Sequence, residues 1–311
     1  MHCSVFGKSH PGRIGNDLQK SAAARIPAVS DAIPSPPASR GRDHERVEQE
    51  YGVQKWPAVE RLIDQRSSGE GPGGTALARV HRLVVRDYAY AGDPLQAREV
   101  LLDGRRQPLA GAFSVGGAER LVADSVVDAC TGHTDLVIEL GCGWGWHLLG
   151  SWLAGGPRGA LYVGAEFADA GCRAAQRLAD LDPELRFRAH AFDYHDPTSL
   201  DALGTFREAV VLTVHSIEQI PHVAPGLIKT IAGLADSVRC LHFEPVGWQV
   251  SADGRGSSQA YAESHDYNRD LIAVLRAEEA AGVLEIDAIQ QDIVGLNPAN
   301  STTHVRWSAR S

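Results

Sequence analysis

Five short apolar runs, spaced almost evenly along the second half of the chain, constrain its fold more than any other feature. They are LVIEL (136–140), LYVGAE (161–166), LRFRAHAFD (185–193), AVVLTVH (209–215) and VRCLHFE (238–244), and they begin 25, 24, 24 and 29 residues apart. Runs this short and this apolar suit strands covered on both faces. The spacing leaves room for a helix between each pair. Between the second and third runs, Gly171, Ala174, Ala175, Leu178 and Leu181 share one helical face, and Arg173, Gln176, Arg177 and Asp180 take the other. Alternating strands and helices give a mostly parallel sheet with helices on both sides. A helix is expected over 267–281, ended by Gly282, followed by strands at 284–288, extending to 294, and at 303–307. The turn LNPAN between them is too short for a helical crossover, so this last pair is expected to be antiparallel.

The first run leads directly into Gly141-Cys142-Gly143-Trp144-Gly145. In an open parallel sheet, ligands sit beyond the carboxyl ends of the strands, and glycines there allow close approach of the backbone. A dinucleotide fingerprint, Gly-x-Gly-x-x-Gly, would place its third glycine at Trp146, whose indole would block the pyrophosphate seat. The Gly-Lys-Ser/Thr of a phosphate-binding loop is absent. The loop therefore suits a nucleoside without a pyrophosphate. Glu166 ends the second run, 21 residues beyond Gly145, where a carboxylate accepts ribose hydroxyl protons. Phe167 follows as a candidate base platform. Phe192-Asp193-Tyr194 ends the third run, where Asp193 is placed to take an adenine amino group.

In the order and spacing of Glu139, Gly141, Gly143, Gly145, Glu166 and Asp193, residues 131–311 resemble the class I S-adenosylmethionine-dependent methyltransferases. The resemblance implies a Rossmann-like α/β fold: a seven-stranded, mostly parallel sheet with a terminal antiparallel hairpin, the seventh strand lying between the fifth and sixth. It implies S-adenosylmethionine as cofactor. Glu139, Gly141, Cys142, Gly143 and Gly145 would hold the methionine end, Glu166 and Phe167 the ribose and base, and Phe192, Asp193 and Tyr194 the adenine, with His215 closing the site.

The fourth run ends in His215-Ser216-Ile217-Glu218-Gln219-Ile220-Pro221. It lacks both the Asn/Asp-Pro-Pro-Tyr/Phe stretch of nucleobase amino-methylating enzymes and the Asp of metal-dependent catechol-type enzymes, so no metal is expected. Methyl transfer from a sulfonium needs alignment and a dry pocket, and a base only where the nucleophile is still protonated. His215 is the first candidate base and Glu218 the second. Trp144, Glu244, Trp248 and Asn297 are expected around the acceptor. From the glycine loop, Glu166, Asp193 and the acidic balance, the expected function is methyl transfer to a small molecule, one of specialised metabolism. One alternative is attack at another carbon of the same sulfonium, by aminocarboxypropyl transfer or closure to azetidine-2-carboxylate, releasing methylthioadenosine. Another is a non-catalytic nucleoside sensor.

The rest of the chain sets the context. Residues 1–45 are rich in Pro, Ala and Ser and read as a flexible tail. Residues 46–130 read as a helical cap over the cleft, with Pro57 interrupting a helical pattern and with Tyr88, Tyr90 and Phe113 as lid candidates. The formal charge of −9 disfavours nucleic acid and anionic membrane surfaces. No apolar run reaches the ~20 residues of a membrane span. Five scattered cysteines and no secretory leader point to the cytoplasm.

Overall fold

The computed structural model describes residues 43–89, 99–108, 115–250, 258–295 and 297–310. Almost all of the proposed tail, and the lid candidates Tyr90 and Phe113, lie outside the described residues. The described chain begins with α1 (His44–Val47), a wider π-type segment (Glu48–Lys55), α2 (Trp56–Ser67) and α3 (Gly74–Ala89). Pro57 does not break the helical run as expected. It stands in the first turn of α2, directly after the π-type turns, whose wider winding relieves the clash of its ring with the preceding turn.

Within residues 46–130, expected to be a helical cap, β1 (Glu99–Leu102) and β2 (Arg105–Pro108) instead form a hairpin, before α4 (Val115–Ala129) resumes the helical pattern. The tight Asp103-Gly104 turn, both residues at positive φ, allows it. The alternating units follow: β3 (Leu136–Leu140), α5 (Trp146–Leu153), β4 (Leu161–Glu166), α6 (Asp169–Ala179), β5 (Phe187–Ala191), β6 (Phe206–Val214), α7 (Leu227–Ala232) and β7 (Ala235–Glu244). Then come α8 (Gly247–Val250), α9 (Gln259–His265), α10 (Leu271–Ala280), β8 (Glu285–Gly295) and β9 (Thr302–Arg310). The helix expected from 267 starts only at Leu271, because Asn268 Oδ1 accepts the backbone N–H groups of Asp270 and Leu271. Gly282 follows it at φ 75°, the left-handed stop expected there.

One sheet runs in the order β2-β1-β8-β9-β7-β6-β3-β4-β5. β3 to β7 are parallel, and β9 lies antiparallel between β7 and β8, which is the strand arrangement implied by the resemblance. The hairpin β1–β2 joins at β8, so the sheet has nine strands among the described residues rather than seven. β3 is buried along its whole length. Its alternate residues enter two cores: Leu136, Ile138 and Leu140 pack with α7 and α10, and Val137 packs with α2, α3, α5 and α6. The helices before the first parallel strand are thus a layer on the sheet itself. No helix among the described residues is long and apolar enough to cross a membrane.

Candidate functional site

Where β3 ends, three glycines turn the chain through the left-handed region: Gly141 at φ 70°, Gly143 at φ 55° and Gly145 at φ 82°. Two buried carboxylates hold this turn. Glu139 Oε2 accepts the N–H of Leu148 at 2.9 Å, tying the first turn of α5 to β3. Glu166 Oε2 accepts the N–H of Gly143 at 2.8 Å, and its Oε1 that of Ala168 at 3.0 Å. Burial pushes the pKa of both carboxyls up, against the backbone N–H groups that pull it down. Each oxygen of Glu166 spends one acceptor position on the backbone and keeps a second.

These elements wall a cavity of about 460 Å³ at the carboxyl ends of the parallel strands. Glu139, Gly141, Cys142, Gly143 and Trp144 line it from the loop, and Glu166 and Phe167 from the tip of β4. Phe192, Asp193 and Tyr194 reach it from beyond β5, His215 and Glu218 from beyond β6, and Asn297 from the β8–β9 turn. Three residues expected at the site are not on its wall. Gly145 is the N-cap of α5, and a Cβ there would lie 3.2–3.3 Å from Leu149 and Ala175; its role is helix packing. Glu244 is fully buried behind the wall, its carboxylate accepting the N–H groups of Ser216, Ile217 and Glu218 at 3.1–3.3 Å. Trp248 is half-buried in α8, away from the cavity.

Strand-tip side chains bind the wall together. The hydroxyls of Tyr194 and Ser216 lie 2.8 Å apart and converge on the Leu140 carbonyl oxygen, at 2.8 and 2.9 Å. Phe192 packs edge-on against Tyr194. Asp193 Oδ1 accepts the His195 N–H, and Oδ2 lies 3.2 Å from His44 Nε2. The Cys142 thiol is buried and its pKa is pushed well up by burial, so it is no thiolate nucleophile. Although no metal is expected from the sequence, ligand atoms of His44, Asp193 and His195 lie within 4.8 Å of one another, close enough to share an ion.

On the opposite side His215 sits at φ 48°, a strained backbone for a residue with a Cβ. Its Nδ1 lies 3.0 Å from Glu218 Oε2 and its Nε2 2.8 Å from Thr302 Oγ1. Burial works to lower its pKa, but the charge and hydrogen bond of Glu218, aided by Glu244, outweigh burial and raise it. Neighbouring His147 is driven the other way, to about 3, by burial and then by the charges of His215 and His81. Trp144, Trp146 and His147 form a stacked wall. The Trp146 indole N–H donates to Glu119 of α4, whose carboxyl burial pushes up to about 7. The Oδ1 of Asn300, in the β8–β9 turn, is buried and without a partner.

Sequence reading missed His44, Tyr51, Lys55, Trp56, Glu119, His147 and Thr302, all of which line the cavity; of the lid candidates, Tyr88 does. Apart from His147 and Thr302 they precede the glycine loop by many residues, and no local pattern marks them. His147, two residues past Gly145, could have been found by counting one turn into the helix.

The fold and site define a Rossmann-like domain with a nucleoside-sized cleft. No family model matches the chain, and no curated protein matches it. Among solved structures it is similar to EvdMO1, at 16% identity and TM-score 0.38, covering 65% of this chain and only 43% of that one. The N-terminal domain of EvdMO1 with S-adenosylhomocysteine bound is similar at 17% identity and TM-score 0.41, covering 74% of this chain and 96% of that one. The magnesium protoporphyrin IX methyltransferase ChlM from Synechocystis PCC 6803, with bound S-adenosylmethionine, is 18% identical at TM-score 0.41, covering 63% and 81%. A ribosomal protein L11 methylase from Lactobacillus delbrueckii subsp. bulgaricus is 12% identical at TM-score 0.39, covering 63% and 80%. With likenesses this loose, it is the chain's own residues that carry a functional reading.

Proposed function

We propose that the chain is an S-adenosylmethionine-dependent methyltransferase acting on a small molecule. The observation that carries this reading is Glu166: a buried carboxylate at the tip of β4, anchored by two backbone N–H groups, facing the cavity beside a loop of left-handed glycines. The residues present fit the cofactor. The Cβ-less loop admits close approach, Glu166 has acceptor positions left for the two ribose hydroxyls, and Asp193 stands where an adenine amino group would donate. Carboxylates and aromatic faces around the cavity favour a cationic sulfonium. Its described wall carries the carboxylates of Asp43, Glu119, Glu139, Glu166, Asp193 and Glu218. Against them stand histidines and one ammonium, Lys55, itself paired with Glu50 at 2.7 Å. Such a lining, acidic and without a guanidinium among its described residues, offers phosphate few partners, which supports a small-molecule acceptor over nucleic acid.

When bound, the cofactor supplies a methyl group already activated by positive sulfur. The protein's part is alignment, exclusion of water and, for a protonated acceptor, removal of one proton. With Nδ1–H donated to Glu218, His215 presents Nε2 as the acceptor, and the Thr302 hydroxyl donates to it. A substrate O–H or N–H facing Thr302 would pass its proton through Oγ1 to Nε2. The raised pKa of His215 makes it a stronger base, and Glu218 holds the charge that results. Glu244 acts one layer back, fixing the backbone that carries both. The scattered cysteines support a cytoplasmic location.

The test is titration calorimetry with S-adenosylhomocysteine, followed by incubation with S-adenosylmethionine alone. Absence of binding would end the reading. Release of methylthioadenosine without an added acceptor would replace methyl transfer by aminocarboxypropyl transfer or closure to azetidine-2-carboxylate.

A further inference from the structure

The segment from Asp43 to Trp56 lies against the nucleoside half of the cavity and is fastened at both ends. At its start the His44 ring meets Phe167 edge-on, with centroids 5.1 Å apart, and its Nε2 lies 3.2 Å from Asp193. At its end the Trp56 indole occupies a slot made by two residues without side chains. A Cβ on Gly143 would lie 2.8 Å from Trp56 Cζ2, and one on Gly171 would lie 3.0 Å from Trp56 Cδ1. The same hypothetical Cβ on Gly171 would lie 2.8 Å from Glu166 Cγ, so indole and carboxylate share the slot. The indole Nε1–H is buried and faces the Glu166 carboxylate, whose pKa it helps pull down, but it lies outside the geometry of a well-made hydrogen bond. Buried donors in folded proteins are almost always well satisfied, and one held loosely beside a carboxylate on the cavity wall is placed to serve an oxygen of whatever that carboxylate binds.

We propose that Trp56 is a cofactor-binding residue: delivered across Gly143 by the N-terminal segment, it donates its indole N–H to the sugar that Glu166 grips, while His44 closes the segment over the base. The inference rests on the nucleoside reading above and adds a group from outside the sheet to it. The two carriers then have complementary tasks. Glu166 accepts from sugar hydroxyls; Trp56 donates to a sugar oxygen and shields the carboxylate from water. The small size of Gly143 and Gly171 follows from the same contact, since any side chain at either would expel the indole.

The experiment is calorimetry on the full chain with S-adenosylhomocysteine and, separately, 5′-methylthioadenosine, comparing wild type with Trp56→Phe. The phenyl ring keeps an aromatic face in the slot but loses the donor and the indole edge on Gly143, so both ligands should weaken by at least about fivefold, the usual worth of one hydrogen bond. Equal weakening is expected because the two share the sugar and base and differ at the amino-acid end. Affinities within twofold of wild type would overturn the inference and leave the nucleoside reading standing; no binding by wild type would overturn both. Should Trp56→Phe fail to fold, 5-fluorotryptophan labelling decides. The fluorine resonance assigned to position 56 must shift on saturation with S-adenosylhomocysteine, and an unmoved resonance overturns the proposal.

Discussion

The two halves of the cavity are built with one device used in opposite ways. On the nucleoside side, Glu166 binds backbone N–H groups and also faces the cavity. On the acceptor side, Glu244 binds backbone N–H groups at 3.1–3.3 Å but stands wholly behind the wall, and what faces the cavity is His215 on a strained backbone. A carboxylate at a strand tip is therefore not in itself a ligand group. The direction of the last residue in the pleat decides whether it meets the ligand or the neighbouring loop.

The sharpest break of this contrast is Glu166→Ala. It removes both the proposed sugar contact and the anchor of Gly143, and S-adenosylhomocysteine affinity should fall by about a hundredfold or more, a loss near 3 kcal/mol, by calorimetry. An unchanged Kd would refute the division. Next in size is Gly143→Ala. Its methyl group would press on Trp56 at a left-handed backbone position, and about a tenfold loss of affinity with a lowered Tm is expected.

Glu244 gives a pH signature on the acceptor side. Burial, then the charge of Glu218, raises its carboxyl from 4.5 to about 7. A carboxyl raised in the folded state adds stability that is full below the unfolded pKa and is lost as pH climbs through the folded one. The contribution should thus fade between about pH 4.5 and 7, amounting to about 3 kcal/mol in all. Glu244→Gln lacks this titration, so the Tm of wild type relative to the variant should decline from pH 5 to pH 8; parallel curves would count against it. The smallest effect sharpens rather than breaks the comparison. His215→Asn keeps a residue tolerant of positive φ and removes the proposed base, and the Kd for S-adenosylhomocysteine should stay within about twofold. A tenfold change would move His215 into the nucleoside half.

Much of this architecture was readable from residues alone, for physical reasons. Buried parallel strands advertise themselves as apolar runs, and a loop that must turn left-handed three times is written in glycine. Gly141, Glu166 and Asp193 are therefore found at the cavity by spacing. Glu244 was misplaced because spacing locates a strand tip but not the direction of its side chain. The hairpin β1–β2 was missed because Arg105-Arg106-Gln107 carries no apolar alternation; pairing with β1, itself joined to β8, rather than intrinsic preference makes it a strand. Trp56 is not found from the sequence, since its partners Gly143 and Gly171 lie about a hundred residues away in the chain and nothing local announces them.

That hairpin also decides where the sheet ends. Without it β8, eleven residues long, would be the outermost strand on that side and would offer an unpaired row of amides and carbonyls. Among the described residues the hairpin covers only the end of β8, where Leu101 and Leu102 pair with Gly295 and Val294, and its own outer strand β2 is four residues long, with two arginines and a closing proline that has no N–H to give. Over that covered stretch a second copy of the chain would find little to extend.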